Sequence, residues 1–509
     1  MPRPLDLLLI NPGSRMQVYQ TLGTELAAVE PPVWAGMMAS FARGRGCAVA
    51  IVDAEAEKLT PAQVAERVEE ASPRLVAIVV YGHQPSASTQ NMPAAGRTAS
   101  AIKDRLPDQP VILVGGHVAS LPERTLREER ADFVATGEGL HTLVELVEAL
   151  ASSSPRLDQV RGLGYRTDDG GVRFNAPAPL LTKLDEEMPG LAWDLLPMDR
   201  YRAHNWHCFG HLEREPYGAI YTSLGCPYHC TFCCIQAPFR SGEKTSAAGK
   251  PVNSYRMWSV NAVLAQIDTL VTQYGVRNVK IADEMFVLNP RHVETICDAI
   301  IERGYDLNIW AYARVDTVRD GMLDKLRRAG FRWLAFGIES ADEAVRDDVD
   351  KGFDQSEIFD TIERVRQAGI HVIGNYIFGL PEDTQESMQK TLQLALDLNC
   401  EFANFYSTMA YPGSPLYAMA VERDWPLPKS WSGYSQHSVD SSPLPTHHVT
   451  AADVLRFRDA AFDRYFSDRA YLGRVENLFG TATVEHIQSM ASHQLVRTFT
   501  AESETLLLS

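Results

Sequence analysis

Apolar positions along this chain fall into two rhythms. Over residues 1 to about 155, short unbroken apolar runs at 5–10, 48–52, 75–81, 110–115 and 133–135 alternate with stretches of helical periodicity at 32–43, 61–71, 94–105, 121–130 and 140–151. Unbroken runs rich in Val, Ile and Leu fit strands buried on both faces, and the interleaved three-to-four spacing fits the helices that cover them. The expected unit is a doubly wound, Rossmann-like α/β domain with a parallel sheet. Such sheets bind ligands outside the carboxyl ends of their strands.

The rhythm breaks over 156–210, where a short hairpin is expected across 162–174 before a Pro-rich stretch at 176–179. It resumes from about 217 to 420, with strands at 218–224, 278–282, 308–313, 333–337, 371–378 and 402–409, and helices at 260–274, 290–303, 320–329, 355–368 and 385–398. Six tandem βα units make an open, partial (β/α)6 barrel, with chemistry expected at the C-terminal strand ends. In the remainder, Thr450 and Asp453 mark a helix start. Val454, Phe457, Ala461, Phe462, Tyr465 and Phe466 then form one apolar stripe, which reads as core packing of a small helical C-terminal region. The expected divisions are 1–155, a linker over 156–210, a barrel over 211–420 and the helical part over 421–509.

Composition narrows the choice of partners. At 45% apolar and 22% charged, this is an ordinary globular composition. A net charge of −17 opposes a polyanionic partner, so no nucleic acid is expected. No apolar run approaches the ~20 residues of a membrane span, so no membrane is expected either. The first ten residues read as a buried strand, and the eight cysteines are mostly scattered, as in a reducing compartment. Cytoplasmic localisation is the expectation.

Cys226, Cys230 and Cys233, spaced C-x-x-x-C-x-x-C directly after a strand-like stretch, carry most of the chemical information. Three thiolates can hold three corners of a [4Fe–4S] cluster and leave the fourth iron open to a small molecule. The other reading is a structural zinc site completed by Cys234 or His229. Zinc sites usually pair two such knuckles, and the chain has no second C-x-x-C. Cys234, beside a ligand, is read as a small buried hydrophobe.

With Phe232 inside its second spacer, the cysteine motif resembles that of the radical S-adenosylmethionine (SAM) family. The runs Phe336-Gly-Ile-Glu-Ser340 and Asn375-Tyr-Ile-Phe-Gly-Leu-Pro-Glu382 are similar to further landmarks of that family. Asn11-Pro12, the Gly115-Gly116-His117 turn and Thr136-Gly137-Glu138-Gly139 resemble the loops of the cobalamin-binding domain that precedes many radical SAM domains. The alternative there is a flavodoxin-like sheet with no corrin. The D-x-H-x-x-G signature that supplies a cobalt ligand elsewhere is absent, and His83 and His117 lie on loops that can approach a corrin.

The resemblance implies a [4Fe–4S] cluster, SAM and cobalamin as cofactors, a small-molecule substrate, and an external electron donor such as flavodoxin or ferredoxin. Carried over by position, Arg314 and Ser340 are candidates for the SAM carboxylate and Glu339 for its ammonium or ribose. Phe232 is placed beside the adenine, and Asp283 at a strand end that contacts cofactor. The loop from Met16 to Glu30, with Tyr19, Glu25 and Glu30, is placed above the corrin. The implied activity is methylation of an unactivated carbon through a 5′-deoxyadenosyl radical and methylcobalamin. An oxidative cyclisation or rearrangement without methyl transfer is the alternative, and a non-catalytic cobalamin or iron–sulfur sensor is the third.

Overall fold

The computed structural model describes residues 5–20, 23, 26–210, 212–239 and 253–500. β1 (Leu7–Asn11), β2 (Val49–Asp53), β3 (Leu75–Val79), β4 (Val111–Val114) and β5 (Phe133–Ala135) run parallel in the order β2-β1-β3-β4-β5. The inner strands β1, β3, β4 and β5 are sealed from water on both faces along nearly their whole length, Leu7, Leu9, Leu75, Ala77 and Val111 completely, while edge strand β2 is half-buried over Val49–Ile51. That double burial is why the sequence shows unbroken apolar runs here. The strand order reverses between β1 and β3, so their carboxyl ends flank a crevice suited to a ligand.

The hairpin expected in the connecting region joins this sheet. β6 (Leu163–Arg166) pairs antiparallel with β5, and β7 (Val172–Phe174) pairs with β6. β5 is only three residues long, and the hairpin covers the edge it would otherwise expose. One helix also starts earlier than its periodicity predicts. It spans Ala87–Arg105 and takes Pro93 into its interior.

A second, six-stranded parallel sheet follows. β8 (Tyr217–Ile220) stops short of the expected 224, and the chain peels away as β9 (Ser223–Gly225) to pair antiparallel with β10 (Tyr255–Met257). The cause is Asp283: its buried carboxylate accepts bonds from the Thr222 amide, the Thr222 hydroxyl and the Ser223 hydroxyl, each at 2.6 Å. β11 (Asn278–Ile281), β12 (Asn308–Ala313), β13 (Phe331–Glu339), β14 (His371–Phe378) and β15 (Phe402–Ser407) complete the open barrel in chain order. Gly275 and Gly304 end the helices Val260–Tyr274 and Pro290–Arg303 in the left-handed region, at φ +66° and +64°.

The C-terminal region closes what the partial barrel leaves open. Helix Ala451–Phe466, capped by Thr450 accepting from the Asp453 amide, packs along edge strand β15. Arg458 Nε donates to the Phe405 carbonyl at 2.8 Å. Gln436 acts like a short strand: its amide donates to the Ser407 carbonyl and accepts from the Ser407 amide, both at 2.8 Å. Exposed edge groups are thereby satisfied. Trp206, Trp310, Trp333 and Phe479 stack or meet edge-on and plug the barrel floor.

Candidate functional site

Gly225 sets the cysteine loop. Its φ is +85°, and a Cβ there would lie 2.0 Å from the Ser254 carbonyl oxygen, so only glycine lets the chain turn this close to β10. The loop that follows leaves Cys226 buried and Cys230 and Cys233 partly buried. Burial pushes the Cys226 thiol up to about 12, and Cys230 adds to the rise. Burial also holds the Cys233 thiol well above its usual value, with the neighbouring Cys234 reinforcing it. Proximal soft donors in one loop are what an iron–sulfur cluster needs. Among the described residues no three His, Cys, Asp or Glu side chains close on one metal ion, whereas a cubane spreads three thiolates over three irons.

Positive charge faces this pocket. The Arg314 guanidinium lies 4.0 Å from Cys230 Sγ and 4.0 Å over the Tyr228 ring, and it holds Asp316 through two bonds at 2.9 and 3.1 Å. At the end of β13, Glu339 adopts φ +64°, a strained conformation for a residue with a Cβ. Its carboxylate bonds the buried Lys351 ammonium, which stands 5.9 Å from the Phe232 ring. The sequence reading missed Lys351. The available signal was a single cation directly after the acidic run Asp347-Asp348-Val-Asp350.

Several expected cofactor contacts have other partners in the structure. Asp283 is engaged by Thr222 and Ser223 as described. Ser340 Oγ is fully buried, 3.2 Å from Thr391 Oγ1, and accepts from the Asp342 amide, so it serves the helix behind the strand. Asn11 donates to Asp53 at 2.8 Å, and Asp53 also accepts from Tyr201. Glu138 is a strut between the halves of the molecule: it meets Arg256 of β10 at 2.5 Å and accepts from the Leu181 amide. His83 Nε2 sits 2.7 Å from the Pro31 carbonyl oxygen and its Nδ1 3.1 Å from Glu30. In each case a polar group removed from water takes a protein partner.

A cavity separates the N-terminal sheet from the barrel. Gly82, Gly116 and His117 form one wall, Cys234, Pro238 and Glu284 the other, and Trp34 and Tyr81 stack at 4.1 Å beside them. A Cβ on Gly116 or Gly137 would meet nothing closer than 3.7 Å, so both glycines leave space that a side chain would fill. Gly115 differs: a Cβ there would strike the Val80 carbonyl oxygen at 2.1 Å. Pro12 is buried at the end of β1. His117 is buried with Nδ1 3.1 Å from Thr89 Oγ1 and its ring edge-on to Trp431 at 4.3 Å, and burial pulls its pKa down to about 3. Burial pushes the Glu284 carboxyl up to about 8. The cavity lining is mostly apolar and aromatic, with Trp34, Tyr81, Tyr221 and Phe239 beside the glycines, the surroundings that the face of a planar ring would meet.

Below the cavity, Glu30 joins the two halves. It meets Lys280 of β11 at 2.9 Å and accepts from the Tyr217 hydroxyl at 3.4 Å. Burial acts to raise its pKa, but His83 and Lys280 outweigh that and hold it well below the usual carboxylate range. Glu25, placed in the same loop by sequence, lies outside the described residues.

An uncharacterized methyltransferase of Pyrococcus horikoshii is 31% identical over 463 residues, 91% of this chain and 92% of that protein. Residues 220–395 match the Radical SAM superfamily and residues 19–147 the B12 binding domain. The chain belongs to the cobalamin-dependent radical SAM family. Its cofactors are therefore a [4Fe–4S] cluster, SAM and cobalamin. Within the family, an anaerobic magnesium-protoporphyrin IX monomethyl ester cyclase of Rubrivivax gelatinosus is 27% identical over 81% of this chain and 69% of its own length. The solved structure of OxsB, a cobalamin-dependent SAM radical enzyme with aqua-cobalamin and SAM bound, shares the fold. Its TM-score is 0.69 at 16% identity, over 95% of this chain and 71% of that one.

Proposed function

We propose that this enzyme methylates an unactivated carbon of a small molecule held between the cysteine loop and the cavity at the N-terminal sheet. One observation carries the reading: Cys234, the neighbour of Cys233, lies on the wall of the same cavity whose other side is Gly116 and His117. A cluster held at the loop and a corrin held at the sheet would then face one space. When bound, the cluster supplies the electron that splits SAM and cobalamin carries the methyl group.

The chain's own residues do the positioning. Cys226, Cys230 and Cys233 would hold the cluster, and the Arg314 guanidinium beside Cys230 would offset its negative charge. Glu339 and Lys351 present a carboxylate and an ammonium beside Phe232, a pair suited to the opposite charges of a SAM amino acid head. Gly116 and Gly137 leave room for the corrin, while Trp34, Tyr81 and Phe239 keep water from its surroundings. The electron comes from an external donor of the flavodoxin or ferredoxin kind. The similarity to the Pyrococcus protein named a methyltransferase, over nine-tenths of both chains, supports methyl transfer.

The similarity to the cyclase supports a second reading, in which the same cofactors drive ring closure. Anaerobic turnover of the reconstituted enzyme with methyl-labelled SAM separates them. Label in the product is the expected result, and an unlabelled cyclised product overturns methyl transfer.

A further inference from the structure

Ligand pockets are mostly apolar, and a few placed polar groups fix how the ligand sits. On the wall of the cavity between the two halves, the hydroxyls and the imidazole are already engaged within the protein. The Tyr221 hydroxyl donates to the His83 carbonyl at 3.3 Å, and the Tyr81 hydroxyl to the Glu138 carbonyl at 3.4 Å. Ser88 donates to the Val80 carbonyl and accepts from the His117 amide, and His117 Nδ1 faces Thr89 Oγ1. Glu284, the one carboxyl among these lining residues, is different. Among the described residues, no hydrogen bond or ion pair from another side chain reaches it.

The chain leading to Glu284 is fixed. The Ala282 amide donates to the Ile220 carbonyl at 2.7 Å, which holds the end of β11 against β8, and Asp283 is locked to Thr222 and Ser223. Glu284 itself keeps part of its surface, as a residue lining a cavity does, and stands on the barrel wall across from Gly116 and His117.

The cation on the same strand, Lys280, is held by Glu30 at 2.9 Å. A carboxyl beside aromatic and aliphatic walls, with no counter-charge bonded to it, favours its neutral form. As an acid it offers one donor and one acceptor side by side. A primary amide offers the same pair in the opposite sense, so the two groups meet through two hydrogen bonds.

We infer that Glu284 is a positioning residue for cobalamin and bonds a primary amide on the rim of the corrin. This rests on the reading that the corrin occupies the cavity. The rim of a corrin carries such amides, whereas its faces offer none. Trp34, Tyr81 and Phe239 elsewhere on the wall suit a face. Apolar contact with a face lets the ring turn in its own plane, and one bond at the rim resists that rotation.

The test is anaerobic equilibrium dialysis of hydroxocobalamin against cobalamin-free enzyme with its cluster reconstituted and no substrate present, the bound corrin being read by absorbance. Glu284→Leu is expected to weaken binding about tenfold. Glu284→Gln is expected to stay within about threefold of wild type, because its amide also donates and accepts. Cobinamide, which keeps the rim amides and lacks the nucleotide tail, should show the same loss with Glu284→Leu. Iron content and circular dichroism check each variant, and Glu284→Ala replaces the leucine variant where either changes. Wild-type affinity without the carboxyl, a glutamine variant as weak as the leucine one, or a loss seen with cobalamin but not with cobinamide overturns the inference. Gly116→Leu fills the cavity from the opposite wall and tests the reading beneath: it should abolish binding. Full affinity there sinks that reading and the inference with it, whereas blocked binding there with unaffected Glu284 variants sinks the inference alone.

Discussion

The contact between Glu30 and Lys280 ties the N-terminal half to the barrel, and its removal has a calculable cost. The Lys280 side chain is only 3% exposed, lies 2.9 Å from Glu30 and has the Trp310 ring 4.7 Å from its ammonium. Glu30→Ala leaves that ammonium buried without its carboxylate. Breaking one side of a buried pair costs about 3–5 kcal/mol. Glu30 keeps 26% exposure, so solvent screening favours the lower end, about 3 kcal/mol. Replacing both, Glu30→Leu with Lys280→Met, removes both desolvation penalties and should recover to within about 1 kcal/mol of wild type. The pH dependence has a definite sign. The folded-state pKa of Glu30 is depressed, so its contribution is present above the unfolded value of ~4.3 and is lost as pH falls through the folded value. Chemical denaturation followed by circular dichroism at pH 7, run as a double-mutant cycle, measures all of this. A wild-type midpoint for Glu30→Ala, or a double variant less stable than either single one, would refute the reasoning.

Single alanine replacements of Cys226, Cys230 or Cys233 should each strip most iron from reconstituted enzyme, whereas Cys234→Ala should retain it; iron analysis reports both, and iron loss in Cys234→Ala would contradict the assignment. Glu138→Gln removes the charge partner of Arg256, which is 13% exposed on its side chain, and should lower stability by about 3 kcal/mol in the same denaturation assay. An unchanged midpoint would mean the strut is idle. Burial pulls His117, His207 and His437 down to about 3 and His204 to about 4. A lowered imidazole pKa means the unfolded chain binds the extra proton, so stability should fall as pH drops below ~6.5, by ~1.4 kcal/mol per unit for each group. His117→Gln should flatten that slope, and an unchanged slope would count against the burial argument.

Much of the fold was legible in the residues because its cause is local. Inner strands are sealed on two faces, and continuous runs such as Leu75–Val79 record that directly. Helix ends followed Gly275, Gly304 and Thr450, where the terminating or capping group lies within a turn of the helix it ends. The break between β8 and β9 was hidden because Asp283, some sixty residues later, causes it. The hairpin's place beside β5 was hidden for the same reason, since pairing across a sheet edge leaves no periodic trace in either partner.

The candidate site divides along the same line. Spacing alone gathered Cys226, Cys230 and Cys233, because soft donors brought together within a single loop must be near neighbours in the chain. Sequence also placed Glu339 and Arg314 at strand ends, since βα alternation fixes which end of the barrel they occupy. It could not decide which polar groups stay available. Asp283, Glu138, Ser340 and Asn11 found partners 42 to 118 residues distant, and Lys351 came to Glu339 through a loop that no period marks. Motif spacing determined the chemistry of this enzyme; only the packing of three chain regions determined which side chains face the space where it happens, because hydrogen-bond partners far apart in sequence are chosen by the folded shape.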